Sequence, residues 1–372
     1  MDVRSKAIFN SNKLKLGWFC PNTISGMTKA HEMRWLRWSE VVAAATIADT
    51  AGIEALTPIA RWKGYVDGDP DHISNQIIDA FSCAAGLAQA TRYSTIFATS
   101  HAPTIHPVAI AKQAASIDEI SNGRFALNIV GGWNRREFEM FGIELLEHAE
   151  RYEYLADWLG VLRKLWTGEE FDYQSKYFSM KGAVCQPRLR SGHIPIMNAA
   201  TSTVGMRFAA KNSDLGFCTP RGDDPLAWTD EIANYKALAR DEFDRDIKIW
   251  TNASVVQRQT DAEAQDFYEY YTEDMVDEVA IDSMIDTMVR ENGWAGDDKR
   301  IGFMRKRMIG GSGFPLIGSA ETIANKLELM TKAGIDGVLM SWIDPIDGLT
   351  RFTRDVLPIL EEKGLRVPFP QV

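Results

Sequence analysis

The sequence is short of the features that announce several common functions. Its four cysteines, Cys20, Cys83, Cys185 and Cys218, are far apart and form no C-x-x-C pair, so neither a zinc site nor a disulfide framework is signalled. Positive charge is in deficit, 41 Lys and Arg against 51 Asp and Glu, and the net −10 argues against nucleic acid or an anionic membrane as partner. The longest apolar run, Val41 to Ala48, is too short to cross a bilayer and contains Thr46. Met1 to Lys13 is polar and of mixed charge, with no apolar core of a secretion signal, so a cytoplasmic protein with reduced thiols is expected. The six histidines show no ligand spacing; His31-Glu32 begins like H-E-x-x-H, but Trp35 stands where the second histidine belongs. No metal is expected. A Walker A loop and a G-x-S-x-G elbow are missing, and Gly310, Gly311 and Gly313 precede no βαβ crossover of the kind a dinucleotide fingerprint needs.

What the chain does have is alternation. Short β-rich runs at 14–20, 53–59, 93–99, 125–130, 194–198, 215–218, 247–256 and 337–342 are separated by segments of helical period at 35–51, 73–91, 108–121, 150–166, 203–211, 228–243, 320–333 and 349–363. Strands alternating with helices pair in parallel through right-handed crossovers, and eight such units close naturally. The expected fold is therefore α/β, a (β/α)8 TIM barrel forming one domain over residues 1–372. One stretch is surplus to it, an insertion at about 257–318, before the seventh helix, with an acidic, aromatic helical segment (261–290) and a flexible run, Gly310-Gly311-Ser312-Gly313. Such an insertion serves as a lid or substrate wall over the active face, or as a dimerisation or purely structural element.

In such a barrel, reactive groups stand at the C-terminal ends of the strands. That rule selects Thr99-Ser100-His101 after strand three and Asn128 inside the apolar strand four, followed by Gly131-Gly132-Trp133-Asn134-Arg135-Arg136-Glu137. Asn128 either bridges barrel layers or addresses a polar ligand in the mouth, since a buried amide left unpaired costs about 1–3 kcal/mol. Ala199-Ala200-Thr201-Ser202-Thr203 offers hydroxyls and free N–H groups at a helix start, either a phosphate site or an ordinary cap. His148, Arg151 and Tyr152 share one helix face, suited to a flavin mononucleotide or to nothing more than a solvated helix start.

Taken together these segments resemble a known family. Asn128-Ile-Val-Gly-Gly-Trp133-Asn-Arg-Arg-Glu137-Phe-Glu, then Glu147-His148-x-x-Arg151-Tyr152, is similar to the FMNH2-dependent group C monooxygenases of the bacterial-luciferase superfamily, whose branches oxidise pyrimidines, dimethyl sulfone and alkanesulfonates. Phe19-Cys-Pro21-Asn22, Ala114 to Arg124 and Leu316 to Ser319 extend the likeness over about residues 14–361. The resemblance implies FMN contacts at Ile59, Ala60, Asn128, Glu137, Arg151, Tyr152 and Ser202, with Thr99 and Asn128 as catalytic residues bordering the place where O2 meets the reduced flavin. It implies FMN used as FMNH2, O2 as co-substrate, a small organic substrate cleaved at a carbon–heteroatom bond, a separate NAD(P)H:flavin reductase as partner, and a homo-oligomer, dimer or tetramer. The basic segment Trp133 to Arg136 and the pair Ser100-His101 depart from the pyrimidine branch, which puts the substrate rather than the cofactor in question. Alternatives on the same barrel are a deazaflavin- or nicotinamide-dependent hydride-transfer reductase and a non-catalytic flavin-binding subunit.

Overall fold

The computed structural model describes residues 6–199, 202–292 and 295–370. The chain runs β1 (Lys15–Phe19), α1 (Trp38–Thr50), β2 (Ala55–Thr57), α2 (Ala80–Ala90), β3 (Thr95–His101), α3 (Pro107–Ile120), β4 (Phe125–Val130), α4 (Arg135–Met140) and α5 (His148–Leu165). A hairpin follows, β5 (Phe171–Gln174) and β6 (Ser179–Ala183), then β7 (Ile196–Ala199), α6 (Thr203–Asn212), β8 (Leu215–Phe217), α7 (Thr229–Phe243) and β9 (Lys248–Gln257). The remainder is α8 (Asp261–Glu269), α9 (Glu278–Asn292), α10 (Asp298–Ile309), β10 (Phe314–Gly318), α11 (Ala320–Lys332), β11 (Gly337–Ser341), α12 (Pro345–Arg351) and α13 (Leu357–Glu362). Parallel pairing runs in the order β11-β1-β2-β3-β4-β7-β8, and β9 joins both ends, so the expected eight-stranded barrel closes.

Period two along the strands divides each into an outer and an inner face. Leu16, Trp18, Leu56, Ile96, Ala98, Leu127, Ile129, Ile249 and Val338 face the helices in one large apolar core. Ala55, Phe97, Ala126, Met197, Leu215, Trp250 and Leu339 form an inner ring, filled from below by Ile8. At that ring β1 must be glycine: a Cβ on Gly17 would lie 2.5 Å from Leu339. The helices bury faces at i, i+3/i+4 spacing, as α5 does with Leu155, Trp158, Leu159, Leu162 and Leu165. Below the ring, Arg366 reaches Glu54 at 2.7 Å and the Leu14 and Gly52 carbonyls, so the chain's C-terminal segment seals the strands' N-terminal ends. Only the opposite end is left for chemistry.

Some boundaries differ from expectation for local reasons. Helix α2 starts at Ala80 rather than 73 because Asp79 caps it, accepting from the Ser82 N–H at 2.8 Å, and Ile73–Asn75 is a separate 3-10 turn. The last helix begins earlier, at Pro345, capped by Asp344. It widens to a π turn over Phe352–Val356 just before Pro358, which has no N–H to donate. The β5–β6 hairpin and α4 escaped the periodicity reading altogether. The expected helical segment 261–290 is two helices, α8 and α9, split by a π turn over Tyr270–Asp274.

The Gly310–Gly313 run is not a free hinge, correcting the expectation. It presses onto β9, where a Cβ on Gly313 would sit 2.7 Å from the Ala253 backbone and Gly311 adopts φ +113°. It then delivers β10, which pairs with the outer half of β9, Phe314 opposite Ala253. No described helix is long and apolar enough to cross a membrane, and the four cysteines are buried free thiols.

Candidate active site at the barrel mouth

Directly above the inner ring the inward positions turn polar. Thr57, Thr99, Asn128, Asn252 and Ser341 are each two residues beyond a ring member on their strands, and all are buried. Thr99 and Asn128 are register partners on β3 and β4. The Thr99 hydroxyl donates to the Pro58 carbonyl at 2.9 Å and accepts from Asn128 Nδ2 at 3.2 Å. Asn128 thus bridges to the neighbouring strand with half of its amide. Its Oδ1 is sealed from solvent without a partner, and so is Thr57 Oγ1. Unpaired acceptors in a closed interior are costly, and clustered at a barrel mouth they are what a polar ligand would satisfy.

The loop after β2 is pinned against this floor. Asn22 holds Ile59 by both backbone groups, accepting from its N–H at 3.0 Å and donating to its carbonyl at 2.8 Å. Trp62 N–H donates to Glu137 Oε1 at 3.1 Å, bringing α4 over the same loop. The loop holding Ile59 and Ala60 therefore meets Thr99 and Asn128 on one side and Glu137 on the other. Arg61 lies over the Tyr65 ring, 4.5 Å from its centroid, with Nη1 buried and unpartnered. Burial pushes the Glu137 carboxyl up, but His101, the Trp62 N–H and Arg61 outweigh it and leave the group below its ordinary range.

A second cluster gathers Arg151, Tyr152 and Ser202. Arg151 Nη1 donates to the Gly132 carbonyl at 2.7 Å, and its buried Nε has no partner. Gly132, at φ +79°, allows the chain to turn from β4 toward α4; a Cβ there would meet Phe138 at 2.3 Å. Tyr152 lies near Ser202, its ring stands 5.7 Å from Phe208 and meets His148 edge-on at 5.3 Å, and burial raises its phenol. Ser202 caps α6, accepting from Gly205 N–H at 3.1 Å. It is thus an N-cap, at the start of the helix whose Phe208 packs on Tyr152. Ala200 and Thr201 of the expected hydroxyl cluster lie outside the described residues.

The inserted helices cover the loops around the mouth. Met27 packs with Ala280, Ile281, Met284 and Ile285 of α9 and Ile309 of α10, flanked by Tyr65, Val66 and Trp133 from the β2 and β4 loops. Backbone bonds tie Met27 to Ile309 and Asp277, and Thr28 bridges Val276. His72 Nε2 meets Asp277 Oδ2 at 2.9 Å, and Arg135 pairs with Glu291 at 3.3 Å. Sequence reasoning missed the Asn22 clamp and Arg61. The signal for Arg61 was present, a charged residue just past a strand's C-terminal end. Asn22 could not be singled out, because its partner Ile59 is distant in sequence.

A closed parallel barrel with a polar C-terminal mouth and an insertion over it defines a class of barrel enzyme. The luciferase-like monooxygenase family model matches residues 14–337, and the chain belongs to that family. Its relatives are oxidoreductases: the pyrimidine monooxygenase RutA of Escherichia coli (strain SMS-3-5 / SECEC) is 30% identical over 356 residues, 94% of this chain and 96% of that protein. Among solved structures, riboflavin lyase RcaE, with modified FMN and riboflavin, superposes with a TM-score of 0.85 at 20% identity, covering 95% and 93% of the two chains. DmoA from Hyphomicrobium sulfonivorans superposes at 0.79 with 20% identity, covering 96% and 92%. These two share the fold.

Proposed function

We propose that the chain is the oxygenase of a two-component system, one barrel unit that takes reduced FMN from a separate NAD(P)H:flavin reductase and uses O2 to oxidise a small organic substrate, cleaving a carbon–heteroatom bond. The observation that carries the reading is the set of buried, unpartnered polar atoms at the mouth, Asn128 Oδ1, Thr57 Oγ1, Arg61 Nη1 and Arg151 Nε. These fit a flavin mononucleotide. Its phosphate would meet the α6 N-terminus, Ser202 and Arg151, since free N–H groups and a guanidinium suit a dianion. Its ring would lie over Thr99 and Asn128, walled by Ile59 and Ala60. Reduced FMN, when bound, supplies two electrons and activates oxygen. The protein's part is orientation and exclusion of water: the Thr99 hydroxyl, donating to Pro58, fixes the Asn128 amide, whose Oδ1 is left to accept from an N–H of the flavin ring. The pyrimidine-oxidising relatives, together with Thr99 and Asn128, make cyclic amides the first substrate class to examine.

Purified protein is expected to bind reduced FMN more tightly than oxidised FMN and to lack NADH oxidase activity alone. Supplied with FMNH2 by an added reductase, it should turn over uracil in preference to dimethyl sulfone, alkanesulfonates or riboflavin. Rapid NADH oxidation by the isolated chain would refute the two-component reading.

A further inference from the structure

His101 closes β3, and the reading above gives it no task. Phe97, Thr99 and His101 alternate on the inner face of the strand, Phe97 lying in the inner ring. The imidazole therefore stands roughly 6–7 Å beyond Thr99, at the rim of the mouth. It is buried, 6% exposed, and its Nδ1 lies 3.3 Å from Glu137 Oε2. Their approach is an ion-pair contact: neither atom makes a hydrogen bond, and both are sealed from solvent. Glu137 cannot swing away freely, because its other oxygen accepts from the Trp62 N–H. The opposite imidazole nitrogen, Nε2, makes no hydrogen bond to a described residue.

A carboxylate held against Nδ1 fixes the proton there and leaves the Nε2 lone pair to face outward, and it stabilises the imidazolium when Nε2 takes a proton. Other charged or titratable groups face the pair from the loop after β2 and the end of β1. Arg61 partly offsets Glu137, while Tyr65 and Cys20 stay neutral because burial raises both groups, the thiol to about 12. We propose that His101 exchanges a proton with the substrate at Nε2, Glu137 being its positioning residue, and that the substrate carries a ring N–H beside the reacting carbon. In the step, the substrate N–H bond breaks, an Nε2–H bond forms, and the electron pair stays on the substrate nitrogen. The imidazolium so formed is balanced by the Glu137 carboxylate, and the proton returns to product or solvent. No oxidant is involved in this transfer. The proposal rests on the flavin-and-substrate reading of the mouth.

Two measurements on the full chain test it. Histidine-selective NMR of the flavin-free protein, with His101→Gln to assign the signal, should find the Nδ1–H tautomer. Glu137→Gln should abolish that preference. With FMNH2 and uracil as probe, His101→Gln should lower kcat by about 10²-fold or more, the usual worth of a general base. Glu137→Gln should lower kcat together with the loss of the tautomer preference and leave substrate KM unchanged, while FMN affinity changes less than threefold in His101→Gln. An unchanged tautomer in Glu137→Gln, or wild-type kcat in His101→Gln, overturns the pairing. A tenfold loss of FMN affinity in both variants reassigns the pair to flavin binding. Wild-type protein that binds FMN yet ignores uracil overturns the N–H substrate while the NMR result stands. Failure to bind FMN overturns the broader reading instead.

Discussion

Replacing Thr99 by valine separates what its hydroxyl does for the fold from what it does for the reaction. Valine keeps the shape and deletes one group that serves two partners, the Pro58 carbonyl at 2.9 Å and Asn128 Nδ2 at 3.2 Å. Thr99 and Asn128 are 6% and 8% exposed, so water has little access to replace the bonds. A buried polar group left unpaired costs about 1–3 kcal/mol, and two partners are affected, so a loss of roughly 2–3 kcal/mol is expected. For 372 residues, an unfolding entropy of about 2.1 cal/mol/K per residue translates this into roughly 3–4 °C in Tm for the flavin-free protein. Thr99→Ser keeps the hydroxyl and should lose only about 0.8 kcal/mol for its methyl group. Combining Thr99→Val with Asn128→Leu should cost about 1 kcal/mol less than the sum of the single changes, because the shared bond is lost once. Turnover at saturating FMNH2 and substrate should fall about 10²-fold in Thr99→Val, because the Asn128 amide loses the group that fixes its position. The assays are calorimetry without ligand and steady-state oxygen uptake with it. A valine variant as stable as the serine one, with additive effects at Asn128, would show that the hydroxyl does not bridge the β2 loop to β4. Undiminished turnover would remove Thr99 from catalysis.

Two further changes probe other levels of the structure. Ser202→Ala removes both the α6 cap and a group beside the expected phosphate, so stability should drop by about 1 kcal/mol and FMN affinity by roughly 1–2 kcal/mol. Riboflavin, lacking the phosphate, should bind almost as before; equal losses for the two ligands would reduce Ser202 to a cap. Lys6 is buried under the barrel, donating to the Phe125 carbonyl at 2.6 Å with Asp118 at 3.7 Å, and burial brings its ammonium down from 10.5 to about 8. The unfolded chain therefore holds this proton more strongly, and the group's cost to stability fades as pH rises from about 8 to 10.5. At about 1.4 kcal/mol per pH unit the full effect is on the order of 3 kcal/mol. Unfolding free energies of wild type and Lys6→Met should thus diverge in favour of wild type over that range, and a constant difference would contradict the assignment.

The barrel was legible because its signal is local. Strand four was read to the residue, Phe125 to Val130, where an apolar run interrupted only by Asn128 ends in two glycines, and the other strands fall within a few residues of expectation. The hairpin was not legible, because Phe171 and Tyr173 alternate with polar residues in a stretch too short to outweigh its surroundings, and their packing against α5 is tertiary. The glycines at 310–313 read as a flexible run because composition does not distinguish a free joint from a close approach; only the nearness of Ala253 decides it. At the site, Asn128 stood out as a polar residue in an apolar strand, and Thr99 by its place at a strand's C-terminal end. The His101–Glu137 pair joins a strand end to a helix 36 residues later, a contact that no spacing rule encodes.

The segment between β1 and α1 carries two loads at once. Asn22 locks the Ile59 backbone at the floor of the mouth, and a few residues on, Met27, Thr28 and Lys29 are stitched to Ile309, Met275, Val276 and Asp277 of the insertion. Floor and roof therefore share one short beam, anchored at one end to a strand of the barrel. A displacement of the inserted helices pulls on the same stretch that sets the height of Ile59, and a ligand that lifts Ile59 pushes back along it. Inserted helices and floor are joined through one continuous stretch of backbone, so a substitution that repositions the insertion acts on the Ile59 clamp as well.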